Sequence, residues 1–174
     1  MSMGAVEILP NLWLGNIRDA LNQDFLHRKK ITCVVNCTVK YPFYTSDKIR
    51  KIRIPVRDTG KEPEFYKMYV ALPSAVDKIY ELLDSERILI HCYAGKQRSV
   101  AVILAFIMKH CKYPLDYALH TLRAKWPCVG RLNFTKSLVM YQSDLENDGI
   151  FIPDEFHIKR RPREDSQRYH RDMQ

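Results

Sequence analysis

The feature that most constrains this chain is a pair of apolar blocks on either side of a short polar segment. Ile88-Leu89-Ile90 is followed by His91-Cys92-Tyr93-Ala94-Gly95-Lys96-Gln97-Arg98-Ser99, and then by the unbroken apolar run from Val100 to Met108. The first block reads as a buried strand and the second as a helix buried on most sides. A strand feeding a helix through a tight loop is half of a parallel crossover unit, and other segments have the same character. Val6 to Gly15 reads as two short strands broken at Pro10 and Asn11, followed by a helix from about Ile17 to His27 with Ile17, Leu21 and Phe25 on one face. Ile31 to Thr38 is β-rich enough for a central strand, and Lys51 to Ile54 alternates as a second one. Pro55 to Pro63 is a loop by composition. Phe65 to Leu72 has helical spacing, and Pro73 is expected to open a new helix carrying Val76, Ile79, Tyr80 and Leu83. Leu115, Ala118, Leu119 and Leu122 mark another helix, and Phe134, Leu138, Tyr141 and Leu145 a last one. Strands alternating with helices predict an α/β single domain: a central, mainly parallel sheet of four to five strands with helices on both faces.

The segment between the two blocks carries the chemistry. A loop running from a strand's end to a helix N-terminus aims several backbone N–H groups at one point. Gly95 lets that backbone turn where a Cβ would obstruct it. A phosphate fits such a cradle, built by Tyr93, Ala94, Gly95, Lys96 and Gln97, and Arg98 adds a fork for two of its oxygens. Cys92 lies at the base, where the helix dipole, the inward N–H groups and Arg98 favour the reactive thiolate. Ser99 is placed to donate a hydrogen bond to that sulfur, and His91 reads as a buried imidazole that orders the loop. The plainer reading is a strand–turn–helix junction that holds a buried cysteine and a surface arginine. A leaving oxygen needs a proton from a carboxylic acid on a loop able to close over the phosphate. Asp58 follows a strand at a suitable place, with Glu62 and Glu64 as rivals on the same loop.

His91-Cys92-x-x-Gly95-x-x-Arg98-Ser99 resembles the signature of cysteine-based protein tyrosine phosphatases. The rest is similar to their compact dual-specificity branch, through Leu9 to Asn16, Val34-Val35-Asn36, Ser99 to Met108 and Asn133-Phe134. The resemblance runs from Ile8 to about Leu145. It implies hydrolysis of phosphotyrosine, and of phosphoserine or phosphothreonine, through a cysteinyl-phosphate, with no metal and no cofactor. It makes Cys92 the nucleophile, Arg98 the phosphate clamp, Ser99 the support for the leaving sulfur, and Asp58 the general acid and then base. Lys96 stands where many members have a small or apolar residue. Lipid-phosphatase relatives share that lysine, although a solvated rim residue is the simpler account. Some relatives have a cysteine near the position of Cys37, able to pair with an oxidised nucleophile; a buried inert thiol is the alternative. Tyr93 shapes the rim or covers the helix start, and family topology puts Arg131 near the mouth.

Composition narrows the rest. The five cysteines (Cys33, Cys37, Cys92, Cys111 and Cys128) form no C-x-x-C pair, and the histidines outside the loop show no ligand spacing, so no metal site is expected. No apolar run has the length of a membrane span, and secretory and myristoylation patterns are missing, which points to a cytoplasmic or nuclear protein without membrane insertion. The net charge of +8 favours anionic partners. Phosphoproteins come first as substrates; a phosphoinositide or the 5′ phosphate of RNA is the runner-up, and a catalytically dead phosphoresidue-binding module is a reading of another class. Residues 1–149 are expected to form the catalytic domain and residues 150–174 a basic tail. In that tail Lys159-Arg160-Arg161-Pro162-Arg163 is a nuclear-localisation or anion-binding candidate, or simply solvated charge.

Overall fold

A computed structural model describes residues 4–150. The elements follow in the order β1 (Val6–Leu9), β2 (Leu12–Gly15), α1 (Ile17–Leu21), α2 (Gln23–Arg28), β3 (Cys33–Asn36), β4 (Arg50–Arg53), α3 (Glu64–Leu82), β5 (Ile88–His91), α4 (Arg98–His110), α5 (Leu115–Lys125) and α6 (Thr135–Asn147). The strands form one sheet in the order β1-β2-β5-β3-β4. Only the β1–β2 hairpin is antiparallel; β2, β5, β3 and β4 run parallel. Strand pleating divides the core in two. Leu12, Leu14, Cys33, Val35, Ile88 and Ile90 face α3 to α6, while Trp13, Val34 and Leu89 face Ala20, Phe25 and Leu26 of α1 and α2. The sheet is thus covered on both faces, as the alternation of elements predicts. Helix α4 packs at its centre with Val100 to Met108 wholly buried, which explains why this segment has no polar stripe.

Two details differ from the pattern in the sequence. The first predicted helix is two, because Asn22 leaves helical geometry at ψ 94° and its side chain caps α2 by accepting from the Phe25 N–H at 3.0 Å. The break takes Leu21 off the buried face and leaves it exposed. The second difference is α3, a single helix through Pro73. A proline inside a helix removes one backbone hydrogen bond and crowds the preceding turn. Here its ring lies on the solvent side, and Phe65, Met68, Leu72, Val76 and Ile79 keep helical spacing across it. Burial of that continuous stripe outweighs the local cost, whereas Tyr80, read as a core position, is exposed. No helix among the described residues is long and apolar enough to cross a membrane. The basic run Lys159 to Arg163 lies outside the described residues.

Candidate active site

The site stands on the C-terminal ends of three adjacent strands. Gly15 of β2, His91 of β5 and Asn36 of β3 lie in register, and the chain then leaves the sheet at each of them. Cys92 is the first residue after β5 and Cys37 the first after β3; the Cys37 N–H donates to the His91 carbonyl at 2.8 Å. The two cysteines thus follow the ends of neighbouring strands. From Cys92 the loop climbs to α4, which starts at Arg98. Gly95 has φ +68°, and a Cβ there would stand 2.8 Å from the Gly15 carbonyl oxygen. Both facts require glycine. The Gly95 carbonyl accepts from the indole Nε1 of Trp126 at 2.8 Å, and the Tyr93 carbonyl accepts from the Ile17 N–H at 3.0 Å. The loop is braced from both sides of the sheet.

Cys92 is fully buried, and the Ser99 hydroxyl lies 3.2 Å from its sulfur, with Oγ donating. Burial opposes the thiolate, but hydrogen bonds from the Ser99 side chain and backbone, the charge of Arg98 and the Gln97 N–H together hold the thiol below its ordinary range. Burial has the last word at Cys37, whose thiol is pushed well up, with the nearby Cys92 adding to the rise. His91 is also buried; desolvation lowers it to about 4, so the ring is neutral near pH 7, and its Nδ1 faces the Cys92 carbonyl at 3.2 Å. A neutral ring that donates to the loop backbone fits an ordering role.

Arg98 is buried, with Nη1 3.4 Å from the Val56 carbonyl and Nη2 3.6 Å from a carboxylate oxygen of Asp58. Its Nε is buried with no hydrogen-bond partner among the described residues. A buried guanidinium with an unmet donor at the rim of an N–H-lined loop is a seat for an oxyanion. Asp58 is held on its other oxygen by the Asn133 amide, Nδ2 donating at 3.0 Å. Of its two rivals, Glu64 is buried, accepts from the Arg57 N–H at 2.7 Å and pairs with Lys67 at 2.8 Å. Lys67 and that N–H hold its carboxyl below the usual range, so it braces the loop as an anion. Glu62 is exposed on the loop, and Asp58 is the carboxylate that meets Arg98.

Around the mouth, Tyr93 is exposed and stacks on Tyr41 with ring centroids 5.2 Å apart. The segment bearing Tyr41 is held by Arg53, which donates to the carbonyls of Thr38 at 2.8 Å and Tyr41 at 3.0 Å. Ala94 and Lys96 are exposed on the loop, and the Lys96 charge acts on the half-buried Cys128. The Arg131 carbonyl accepts from the Gln97 side chain at 2.9 Å, which sets this residue beside the phosphate loop as topology implied. Tyr41, Trp126 and Arg53 went unassigned as site residues in the sequence, where nothing local marks them, and Asn133 stood there only as part of the Asn133-Phe134 resemblance, with no role at the site.

A sulfur poised as thiolate beneath converging N–H groups, with an arginine fork and a carboxylate opposite, suits transfer of a phosphoryl group to sulfur and on to water. That is the chemistry of cysteine-dependent phosphatases. The family model "Dual specificity phosphatase, catalytic domain" matches residues 12–144. Human dual specificity protein phosphatase 16 is 33% identical over 150 residues, covering 84% of this chain and 22% of its own length. Mouse dual specificity protein phosphatase 22 is 30% identical over 145 residues, covering 82% of this chain and 76% of its own length. Among solved structures, a mouse putative dual specificity phosphatase complexed with zinc tungstate superposes with a TM-score of 0.77 at 26% identity, covering 86% of this chain and 93% of that one. The chain belongs to the dual specificity phosphatase family. It spans about a fifth of the first of these relatives and about three quarters of the second.

Proposed function

We propose that the chain hydrolyses phosphotyrosine, and phosphoserine or phosphothreonine, in phosphoproteins by double displacement. Cys92 is the nucleophile, Arg98 the phosphate clamp, Asp58 the general acid and then base, and Ser99 the support for the departing sulfur. The observation that carries this reading is Arg98, whose charge acts on Cys92 and whose guanidinium meets Asp58, with an Nε donor that has no partner among the described residues. A phosphate dianion satisfies that donor and the loop N–H groups together.

The Cys92 thiolate attacks phosphorus, forming a P–S bond as the P–O ester bond breaks. The departing oxygen takes the proton of Asp58 and leaves as a neutral phenol or alcohol. Asp58, now a carboxylate, takes a proton from water, whose oxygen attacks the phosphocysteine. The P–S bond breaks, inorganic phosphate leaves, and the Ser99 hydroxyl steadies the returning thiolate. Lys96 and the Tyr41–Tyr93 pair line the rim that a phosphoprotein would cross.

Turnover across aryl phosphates of graded leaving-group acidity tests the assignment, with wild type, Asp58→Ala, Glu62→Ala and Cys92→Ser. Asp58→Ala is expected to lose about 100-fold or more on phosphopeptides and much less on acidic nitrophenols. Cys92→Ser should be inactive on all of them while still binding substrate. Residual hydrolysis by Cys92→Ser removes the covalent mechanism. A steeper leaving-group dependence in Glu62→Ala than in Asp58→Ala removes the choice of acid.

A further inference from the structure

The side chain of Gln97 faces away from the cradle that its backbone helps to form. Its Nε2 donates to the Arg131 carbonyl at 2.9 Å, and its Oε1 accepts from the Asn133 N–H at 2.7 Å. The two contacts fix the amide's orientation, since exchanging oxygen and nitrogen would lose both. One side chain of the phosphate loop thereby clasps the backbone of the segment between α5 and α6 at two points. That segment in turn meets the loop after β4. Asn133 donates to Asp58 Oδ1 at 3.0 Å. Gly60, at φ +60°, lies so close under the Asn133 carbonyl that an added Cβ would collide with its oxygen. The carboxylate, the segment and the phosphate loop are thus tied in series.

We infer that Gln97 and Asn133 are positioning residues for Asp58, transmitting the place of the phosphate loop to the carboxyl that protonates the leaving group. This rests on Asp58 being that acid. A carboxyl is useful to the reaction only if its proton is on the oxygen that faces the ester. The Asn133 amide donates to Oδ1 within hydrogen-bond reach, at 3.0 Å, whereas the Arg98 guanidinium lies 3.6 Å from Oδ2, beyond it, so Oδ2 is the oxygen with room for the proton. Oδ2 is the oxygen 3.6 Å from Arg98, on the side where the phosphate is held. The Asn133 bond therefore chooses the proton-bearing oxygen, and Gln97 keeps Asn133 at the height that lets it do so. Asp58, Asn133 and the neighbouring Arg131 are exposed. Burial does little to fix them, and the hydrogen bonds carry the geometry.

A role through the acid has a signature that a merely structural role lacks. Gln97→Leu keeps the side chain's approximate size and the backbone N–H at Cys92, but deletes both clasping bonds. Turnover of phenyl phosphate, a poor leaving group, is expected to fall about 5-fold or more beyond any fall on the p-nitrophenyl ester, since the acid matters most where the leaving oxygen is basic. Inhibition by vanadate, an oxyanion probe of the cradle, should stay unchanged. Asn133→Ala should give the same pattern, and the double variant should be no worse than the worse single one, because the two residues act along one chain of contacts. Equal losses on both esters, weakened vanadate inhibition, or additive losses in the double variant would overturn the inference. Asp58→Ala measured alongside separates the two readings. If it shows the leaving-group signature and Gln97→Leu does not, the positioning role alone fails. If Asp58→Ala lacks it too, the acid assignment fails and the positioning role goes with it.

Discussion

In the proposed mechanism Ser99 serves two steps with one hydrogen bond. Its hydroxyl is the largest influence holding the Cys92 thiol down, ahead of the Arg98 charge, and on that mechanism the same bond would meet the sulfur when phosphocysteine breaks. Removing it has a definite sign. With Cys92 as the proposed nucleophile acting as thiolate, the acid limb of kcat/KM reports its ionisation, and a raised thiol moves that limb to higher pH. Ser99→Ala is therefore expected to shift the acid limb, and the pH dependence of iodoacetate alkylation, upward. It should also slow breakdown of the intermediate by about 10-fold or more, the usual worth of a hydrogen bond to a charged group, seen as a burst of released phenol. An unmoved alkylation profile would show that the hydroxyl does not hold the thiolate. Cys92, Gly95, Arg98 and Ser99 are legible in the sequence because one loop carries them at fixed spacing between a strand and a helix. The roles of Trp126 and Tyr41, and of Asn133 beyond its place in the Asn133-Phe134 resemblance, are not, because each arrives from a remote segment and makes its contact with a single polar or aromatic group.

Strands and helices follow the same division. Periodicity marks α5 and α6 and unbroken apolar runs mark α4 and β5, since burial on one face or all round dictates their composition. It misleads at Pro73, where a local rule meets a longer stripe, and at Asn22, where a cap residue sits inside an apparently continuous period. Parallel pairing of β3 with β5 has a chemical result too, since it brings Cys37 beside the residue preceding Cys92. We propose Cys37 as the redox partner of the nucleophile. Peroxide would oxidise the Cys92 thiolate to a sulfenic acid with loss of water, and the Cys37 thiol would displace a second water to give the disulfide. Burial keeps Cys37 protonated, so capture is expected to be slow and to compete with further oxidation. Peptide mapping after graded peroxide should find the Cys37–Cys92 link at low dose. If dithiothreitol restores Cys37→Ser as fully as wild type, the pairing gives no protection and Cys37 is core.

Taken whole, the chain has a net charge of +8, and the substrates proposed for it are anions. Attraction of this kind acts on encounter and weakens with salt. Raising ionic strength should lower kcat/KM for acidic phosphopeptides, mainly through KM, with a smaller effect on p-nitrophenyl phosphate, which brings only its own phosphate charge. Equal salt dependence for both would confine the effect to the cradle and leave the wider surface without a part. The fold also places the chain's two tryptophans on opposite sides of the sheet: Trp13 packs toward α1 and α2, while Trp126 hydrogen-bonds to Gly95 in the phosphate loop. The protein thus carries its own optical probe, because an indole whose N–H is tied to the loop backbone senses small shifts in that backbone. In Cys92→Ser, titration with phosphate or a phosphopeptide is expected to change Trp126 emission, and the change should vanish in the Trp126→Phe form. Occupancy of the cradle then becomes readable in real time, without a label and without turnover.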